Sequence, residues 1–265
     1  MPGTILVREC LRRVSKLLHD ISPQFVLYPE QEAVDALNDA HLAIAKFLPS
    51  SASRNDVVKL RPGTLQTIET IQAADCKPGD GSTPNQPIYG VSLIGVTRNM
   101  GADGLTPGRV IRLIDRRKLD DQDPDWHLAA RAKTVVQCIT FDPLLPLYFS
   151  VTPPVHASTA VWVQASYNAQ PLRIPNTGTP SNELYLADGA STETIKVRDE
   201  FIDELVFYTA ARAHMKDAEW ADGNKATYFT NLWLASMNAK VAAVTGSNPN
   251  LKRLPFAPEP IGAAA

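Results

Sequence analysis

Asp199-Glu-Phe-Ile-Asp-Glu-Leu-Val-Phe-Tyr-Thr-Ala-Ala-Arg-Ala-His214, followed by Gly223-Asn-Lys-Ala-Thr-Tyr-Phe-Thr-Asn-Leu-Trp-Leu-Ala-Ser-Met-Asn-Ala-Lys-Val-Ala-Ala-Val-Thr-Gly246, decides how the rest of the chain is read. In the first run, Phe201, Ile202, Leu205, Val206, Tyr208 and Ala213 recur at helical spacing and form a broad apolar face. Asp199 and Glu200 fall in its opening turn, where carboxylates complement the positive end of the helix dipole. The second run sets Ala226, Phe229, Trp233, Met237, Val241 and Val244 on one side. The link from Asp217 to Gly223 is short, which predicts an antiparallel helical pair. Neither run carries a residue pattern that chemistry needs, so the block reads as scaffold.

A matching pair stands at the N-terminus. Ile5 to His19 predicts a helix with Leu6, Cys10, Leu11, Val14, Leu17 and Leu18 on its apolar side and Arg8, Arg12, Arg13 and Lys16 on its polar side. Ile21-Ser-Pro23 ends it, because proline disfavours helical geometry in the residue before it. A second helix opens at Pro29, with Glu30 and Glu32 at its dipole-favoured end and Val34, Leu37, His41, Ile44 and Phe47 along it. His41 has apolar neighbours and no second histidine one turn away, which reads as a hydrogen-bonded core or interface histidine rather than a metal ligand.

Between the pairs the periodicity changes. Short apolar segments at Val57–Leu60, Gln66–Gln72, Ile88–Val96, Val110–Ile114, Val135–Phe141, Leu147–Val151 and Ala160–Tyr167 alternate with turn signals, and Ser181–Asp188 is a candidate edge strand. Loops fall at Lys77–Pro84 and Asn99–Gly108. Most of the 21 prolines lie in this middle part. The density of turns predicts a compact antiparallel sandwich or small barrel inserted between two helical pairs.

Composition narrows the function. A hydrophobic fraction of 44% and a charged fraction of 20% are those of an ordinary globular protein, and 265 residues can bury a sizeable core. A formal charge of −2 exerts no global pull toward nucleic acid or an anionic membrane. No run reaches the ~20 apolar residues of a membrane span, and the N-terminus lacks a signal-peptide core. Cys10, Cys76 and Cys138 are isolated thiols without zinc or redox spacing, as expected of reduced cysteines in a cytoplasmic assembly.

Specific chemistry finds little support. Asp121-Gln-Asp-Pro-Asp125 has the opening spacing of a calcium loop, but Trp126 stands where glycine is required and Ala132 where glutamate is; it reads as a solvated acidic loop. Gly79-Asp-Gly81 and Gly101-Ala-Asp-Gly104 lack the partners of a phosphate or dinucleotide motif. His19, His41, His127, His156 and His214 show no ligand spacing, and no nucleophile signature occurs. The expectation is a protein without catalytic residues, metal or cofactor. Arg112, Arg116, Arg117 and Lys118 form the densest basic cluster; without interleaved aromatic residues it predicts at most non-specific contact with phosphate.

Three segments in register resemble one family. Arg13–Asp20, Tyr28-Pro-Glu-Gln-Glu32 and Leu37-Asn-Asp-Ala-His41-Leu-Ala-Ile44 are similar to the opening helices of head-to-tail adaptor (connector) proteins of tailed bacteriophages, podophages in particular. Phe141-Asp-Pro-Leu-Leu-Pro-Leu-Tyr-Phe149-Ser-Val-Thr-Pro-Pro154, followed by Val161–Tyr167 and Pro171, resembles that family's β region. Tyr208-Thr-Ala-Ala-Arg-Ala213-His-Met-Lys-Asp-Ala-Glu219, continued by Ala226 and Phe229, resembles the helix that precedes the adaptors' last one. The resemblance runs from about residue 10 to about residue 240. It implies a virion structural protein assembled in the host cytoplasm as a dodecameric ring. Portal protein would lie above it, a tail tube or nozzle below, and packaged DNA would pass through its channel.

The reading is therefore an α+β fold: an α-helical bundle of two N-terminal helices (1–55) and two C-terminal helices (191–246), with an inserted antiparallel β-rich domain (56–190) and an extended C-terminal arm (247–265). In that arm Leu251, Leu254 and Phe256 are apolar anchors in a proline-spaced segment, which suits docking as an extended chain. With Arg253 they are the expected portal-binding residues. Competing expectations are a lower neck, tail-completion (gatekeeper) protein and a host-attachment module, the latter suggested by Trp126 and Trp162 in the β region.

Overall fold

Apolar residues three and four apart place the helices, and short β-branched runs place the strands, in the computed structural model, which describes residues 3–20, 27–79, 86–175, 185, 191–216 and 218–247. Helices α1 (Val7–Leu18) and α2 (Glu30–Phe47) come first. Ten strands follow: β1 (Ser53–Lys59), β2 (Gly63–Thr67), β3 (Thr70–Ile71), β4 (Cys76–Lys77), β5 (Ile88–Met100), β6 (Pro107–Val110), β7 (Arg112–Leu113), β8 (Cys138–Phe141), β9 (Tyr148–Val155) and β10 (Trp162–Ala169). A short helix, α3 (Arg116–Gln122), sits between β7 and β8, and α4 (Ile202–His214) and α5 (Gly223–Ser247) close the described chain. Apart from Tyr185, the expected edge strand at Ser181–Asp188 lies outside the described residues, as do the helix stop at Ile21–Pro23 and the arm residues Leu251, Arg253, Leu254 and Phe256.

The chain separates into two compact units, one chiefly Pro49–Arg173 and the other chiefly Thr4–Leu48, Ile174–Ile195 and the segment from Asp199 onward. In the helical unit, α4 contacts α1, α2 and α5. Of the face expected for α4, Phe201, Ile202, Leu205, Val206 and Ala213 are buried while Tyr208 is half-buried, and the structure adds Thr209 and Ala210 to the buried side. α1 buries Val7, Cys10, Leu11, Val14 and Leu18 and ends at His19, whose φ of 56° is the left-handed turn that closes many helices. The amide nitrogens of His19 and Asp20 donate to Lys16 O at 3.3 Å and Ser15 O at 3.0 Å.

Asp199 has a different task from the one its position suggests. It stands in a single 3₁₀ turn (Asp199–Phe201) before α4 and accepts from Thr4 N at 2.7 Å, Thr4 Oγ1 at 2.6 Å and Ile5 N at 3.1 Å. Those hydrogen bonds, the Thr4 hydroxyl first, hold its carboxyl below the usual carboxylate range. Beside it, Leu6 bridges Thr194 in antiparallel fashion.

The β unit has two sheets, ordered β3-β5-β10-β1-β4, with β6 also on β5, and β2-β9-β8-β7. They are joined where β6 runs into β7 through buried Ile111, and where β2 runs into β3 through buried Ile68. The result is a nearly closed barrel around one core that includes Leu60, Val96, Val136, Phe149, Val151, Val163 and Tyr167. Antiparallel pairing dominates, as expected; β7 and β8 are an exception and run parallel (Arg112 beside Cys138, Leu113 beside Ile139). A loop and a helix separate them in sequence, which is what a parallel pair needs.

Three buried polar side chains stitch this unit. Asp56 accepts from Tyr167 Oη at 2.7 Å, Arg54 Nε at 2.7 Å and Gly79 N at 3.2 Å. Asn99 donates to Val136 O (2.7 Å) and Arg109 O (3.0 Å) and accepts from Val136 N (2.9 Å). Gln66 accepts from Arg61 N and donates to Arg61 O, both at 2.8 Å.

Candidate interaction surfaces

Each run that carries the family resemblance has a defined place. In α2, Leu37 and His41 are buried, and the ring Nδ1 of His41 lies 2.7 Å from Leu37 O. Asn38 between them brackets one backbone unit: its Nδ2 donates to Ile174 O at 3.1 Å and its Oδ1 accepts from Ile174 N at 2.8 Å. Asp39 faces Arg212 of α4 at 3.6 Å, and Glu32 faces Lys216 at 2.8 Å. The α2 run and the α4 run therefore meet along one seam, with apolar contacts inside and ion pairs at the rim.

The far end of α4 is aromatic. Tyr208 lies edge-on to Trp233 at 5.4 Å, and His214 stacks on Phe229 at 5.9 Å and 5° and leans on Trp220 at 5.9 Å. Both His214 ring nitrogens are buried without a hydrogen-bond partner among the described residues. Burial first, and then the Lys225 ammonium, pull its pKa below the ordinary histidine value against an opposing Asp222.

In the β unit the run Phe141–Pro154 is the β8–β9 hairpin. Phe149 and Val151 face the core, while Asp142 Oδ1 accepts from Leu144 N at 2.9 Å and fixes the turn. That turn holds Leu144 at 87% exposure, the most exposed large apolar side chain among those described. On another part of the same unit Leu113 is 68% exposed. Isolated exposed leucines are ordinary on a protein surface.

The basic cluster is also exposed. Arg112 is on β7, and Arg116, Arg117 and Lys118 open α3. Arg116 faces Asp120 at 3.7 Å, whereas Arg112, Arg117 and Lys118 make no ion pair among the described residues. Here the sequence reading needs correction, because the acidic stretch is not simply a loop. Asp115 caps α3 by accepting from Arg117 N at 2.8 Å, the helix runs through Asp121, and Asp123 pairs with Arg131 at 2.5 Å. The cap-plus-helix-former pattern Asp115-Arg-Arg-Lys-Leu was the available signal.

Trp126 and Trp162 are 5% and 8% exposed. Trp126 Nε1 donates to Asp120 at 2.7 Å, and Trp162 lies under Lys77 and under Gly104, whose φ of 68° lets the loop close over the ring. Neither indole offers the surface platform that a host-attachment module would use. Cys10 and Cys76 are buried free thiols, each raised to about 12, chiefly by burial. Among the described residues no group of three or more histidine, cysteine or acidic side chains could hold a metal ion, and no helix is long and apolar enough to cross a membrane.

A family model, that of the SU10 adaptor protein, matches residues 6–253, which takes in both units and all three motif runs. The chain belongs to the SU10 adaptor protein family. No curated protein matches it. It is a phage adaptor-type structural protein and a virion component. The motif seam between α2 and α4 was legible in the adaptor's sequence as two helices; the Asn38 bracket and the Asp199 clasp were not, because each partner lies more than a hundred residues away.

Proposed function

We propose that this chain is a podophage-type head-to-tail adaptor, a ring subunit between portal and tail. Copies assemble in the host cytoplasm into a dodecameric ring with the portal protein above and the tail tube or nozzle below. DNA passes through the channel and makes only non-specific contact with it. α1, α2, α4 and α5 serve as a four-helix bundle, the β unit is the inserted module, and the arm at 247–265 reaches the portal through Leu251, Arg253, Leu254 and Phe256. The protein works through surfaces rather than chemistry, with no catalytic residue, metal or cofactor.

The observation that carries this reading is the adaptor-family match over residues 6–253. Support also comes from the rigid presentation of exposed apolar side chains such as Leu144 and Leu113 on a well-packed core. The test is the mass of the purified chain alone and after mixing with its portal ring. A stable complex with a full ring of copies per portal is the expected result. A chain that stays monomeric and ignores portal would overturn the reading in favour of a lower neck, gatekeeper position. Deleting residues 247–265 should then leave a folded subunit that no longer binds portal; full-affinity binding by the truncated chain would remove the arm from the account.

A further inference from the structure

The sheet β2-β9-β8-β7 ends in two unlike edges. At the β7 edge Arg98, Arg109 and Arg112 are exposed together with Val110 and Leu113, and none of the three arginines forms an ion pair among the described residues. They are neighbours in space. Arg98 stands opposite Val110 and Arg112 opposite Cys138, and both Arg109 and Arg112 act on the Cys138 thiol, lowering its pKa against the larger upward effect of burial.

The other edge has the reverse charge. Leu65 pairs opposite Ser150 and Thr67 opposite Tyr148, so Leu65 and Tyr148 share one outward face. The β8–β9 turn adds Leu144 and Leu145, both exposed. Two carboxylates accompany them: Glu69, whose Oε2 accepts from Tyr148 Oη at 3.3 Å, and Asp142 in the turn. Neither forms an ion pair among the described residues. The turn is fixed to the barrel by Leu93 N donating to Pro146 O at 2.8 Å and Ile68 N donating to Leu147 O at 3.0 Å. Arg61, the nearest exposed cation in sequence, lies beyond the opposite end of β2, away from Tyr148.

An apolar edge with free arginines and an apolar edge with free carboxylates complement each other, and neither complements itself. Three strand spacings, roughly 14 Å, separate β2 from β7 across the sheet, and Leu144 and Leu145 stand beyond the strand ends at the tip of the β8–β9 hairpin, so the two patches do not coincide. Contact between unlike patches is heterologous: it passes from copy to copy and closes into a ring when the rotation permits. Both halves of this match are on one chain, which identifies the occupant. We propose that the Arg112–Leu113 edge of one β unit docks against the Glu69–Leu144 edge of the β unit of a second copy. This deepens the ring reading above and rests on it only for the closure.

Leu113 and Leu144 are exposed enough to be replaced without loss of fold. In a Cys138→Ala background, which removes the half-buried thiol beside Leu113, the full chain carrying both Leu113→Cys and Leu144→Cys, oxidised mildly alone and with portal ring, should give a ladder of disulfide-linked dimers, trimers and larger species. Either single variant should give none beyond the wild-type background. Dimers from a single variant would mean like edges pair, and the absence of a ladder in both settings would mean the edges do not meet; each result overturns the proposal. In the same background Arg112→Glu or Glu69→Arg should reduce the ladder at least tenfold, and the two together in one chain should restore it; loss without restoration also overturns it. Portal association is read separately. Portal binding without a ladder sinks only this contact, and a ladder without portal binding sinks only the adaptor position.

Discussion

The two units of this adaptor are held together by different means. In the helical unit the apolar stripe of α4 meets α1, α2 and α5; the ion pairs Arg212–Asp39, Lys216–Glu32 and Arg13–Asp203 lie at the water-exposed rim, and two polar side chains, Asn38 on Ile174 and Glu204 with Lys240, are the buried links. In the β unit the polar links are inside. Asp56, Asn99 and Gln66 are 3%, 6% and 2% exposed, and each takes up backbone groups from loops that no ladder reaches. The cause is strand length. β3, β4 and β7 are two residues long, so much of the backbone must find side-chain partners or remain unpaired in the core. A helix satisfies its own backbone; a barrel of short strands depends on a few chosen side chains.

The strongest test of that contrast is Asp56→Ala. It would strand the Arg54 guanidinium, the Tyr167 hydroxyl and the Gly79 amide together, and removing one member of a buried charged network costs about 3–5 kcal/mol. The β unit should show this loss in urea, followed by fluorescence in a background where Trp220 and Trp233 are replaced, so that Trp126 and Trp162 report. A loss below about 1 kcal/mol would mean that water readily replaces the carboxylate and that the β unit does not depend on it. Asn99→Ala should be the next largest, about 1–3 kcal/mol, because it leaves both polar groups of Val136 without their partner. Neither substitution should alter the unfolding of the helical unit.

Within the helical unit His214 differs from the buried Asn38 and Glu204 in having no hydrogen-bond partner for its polar atoms among the described residues. Its folded pKa is depressed, because both ring nitrogens are buried against Phe229 and Trp220 with Lys225 nearby. When a histidine's folded pKa lies below its unfolded value, protons bind the unfolded chain preferentially. Stability is therefore complete above the ordinary histidine pKa of 6.5 and falls as pH drops below it, levelling off once the folded form is also protonated. The urea midpoint reported by Trp220 and Trp233 should fall between pH 8 and pH 5. His214→Phe, which keeps the stacked ring, should flatten that change; an unchanged slope in the variant would assign the effect to another group.

The same contrast explains what could be read from the sequence. Helices α1, α2, α4 and α5 were legible because burial in a helix repeats every three to four residues: Ile202, Leu205, Val206 and Ala213 declare their face whatever they pack against. Most strands were legible as short alternating runs. Asp56, Asn99 and Gln66 were not, since a polar residue in a strand is ordinarily an outward-facing one and only the fold reveals an inward one. The parallel β7–β8 pair was hidden for a related reason, because α3 and the turn at Ala129–Arg131 that carry the crossover looked like a loop. The exposed apolar side chains were least legible. Leu113 and Leu144 look like core residues in sequence, and only their place at the sheet edge and the hairpin tip turns them outward.

The smallest predicted effect is at the rim of the motif seam. Lys216 and Glu32 join two runs of the family motif at 2.8 Å, yet their side chains are 39% and 45% exposed. A pair in that much water gains little over its separated, hydrated charges, so Lys216→Met should cost at most about 1 kcal/mol in the urea stability of the helical unit. The methionine keeps the aliphatic reach of lysine at this position just past the end of α4, which limits the change to the charge. Adding salt should shrink even that difference. A motif residue with so little effect on the free subunit would have its role elsewhere: portal binding by the same variant should then be weakened more than its stability. Equal portal binding by Lys216→Met and wild type would make the pair a solvated rim contact and nothing more, whereas a loss of several kcal/mol in the free subunit would show that the helical unit depends on its rim ion pairs as well as on its interior.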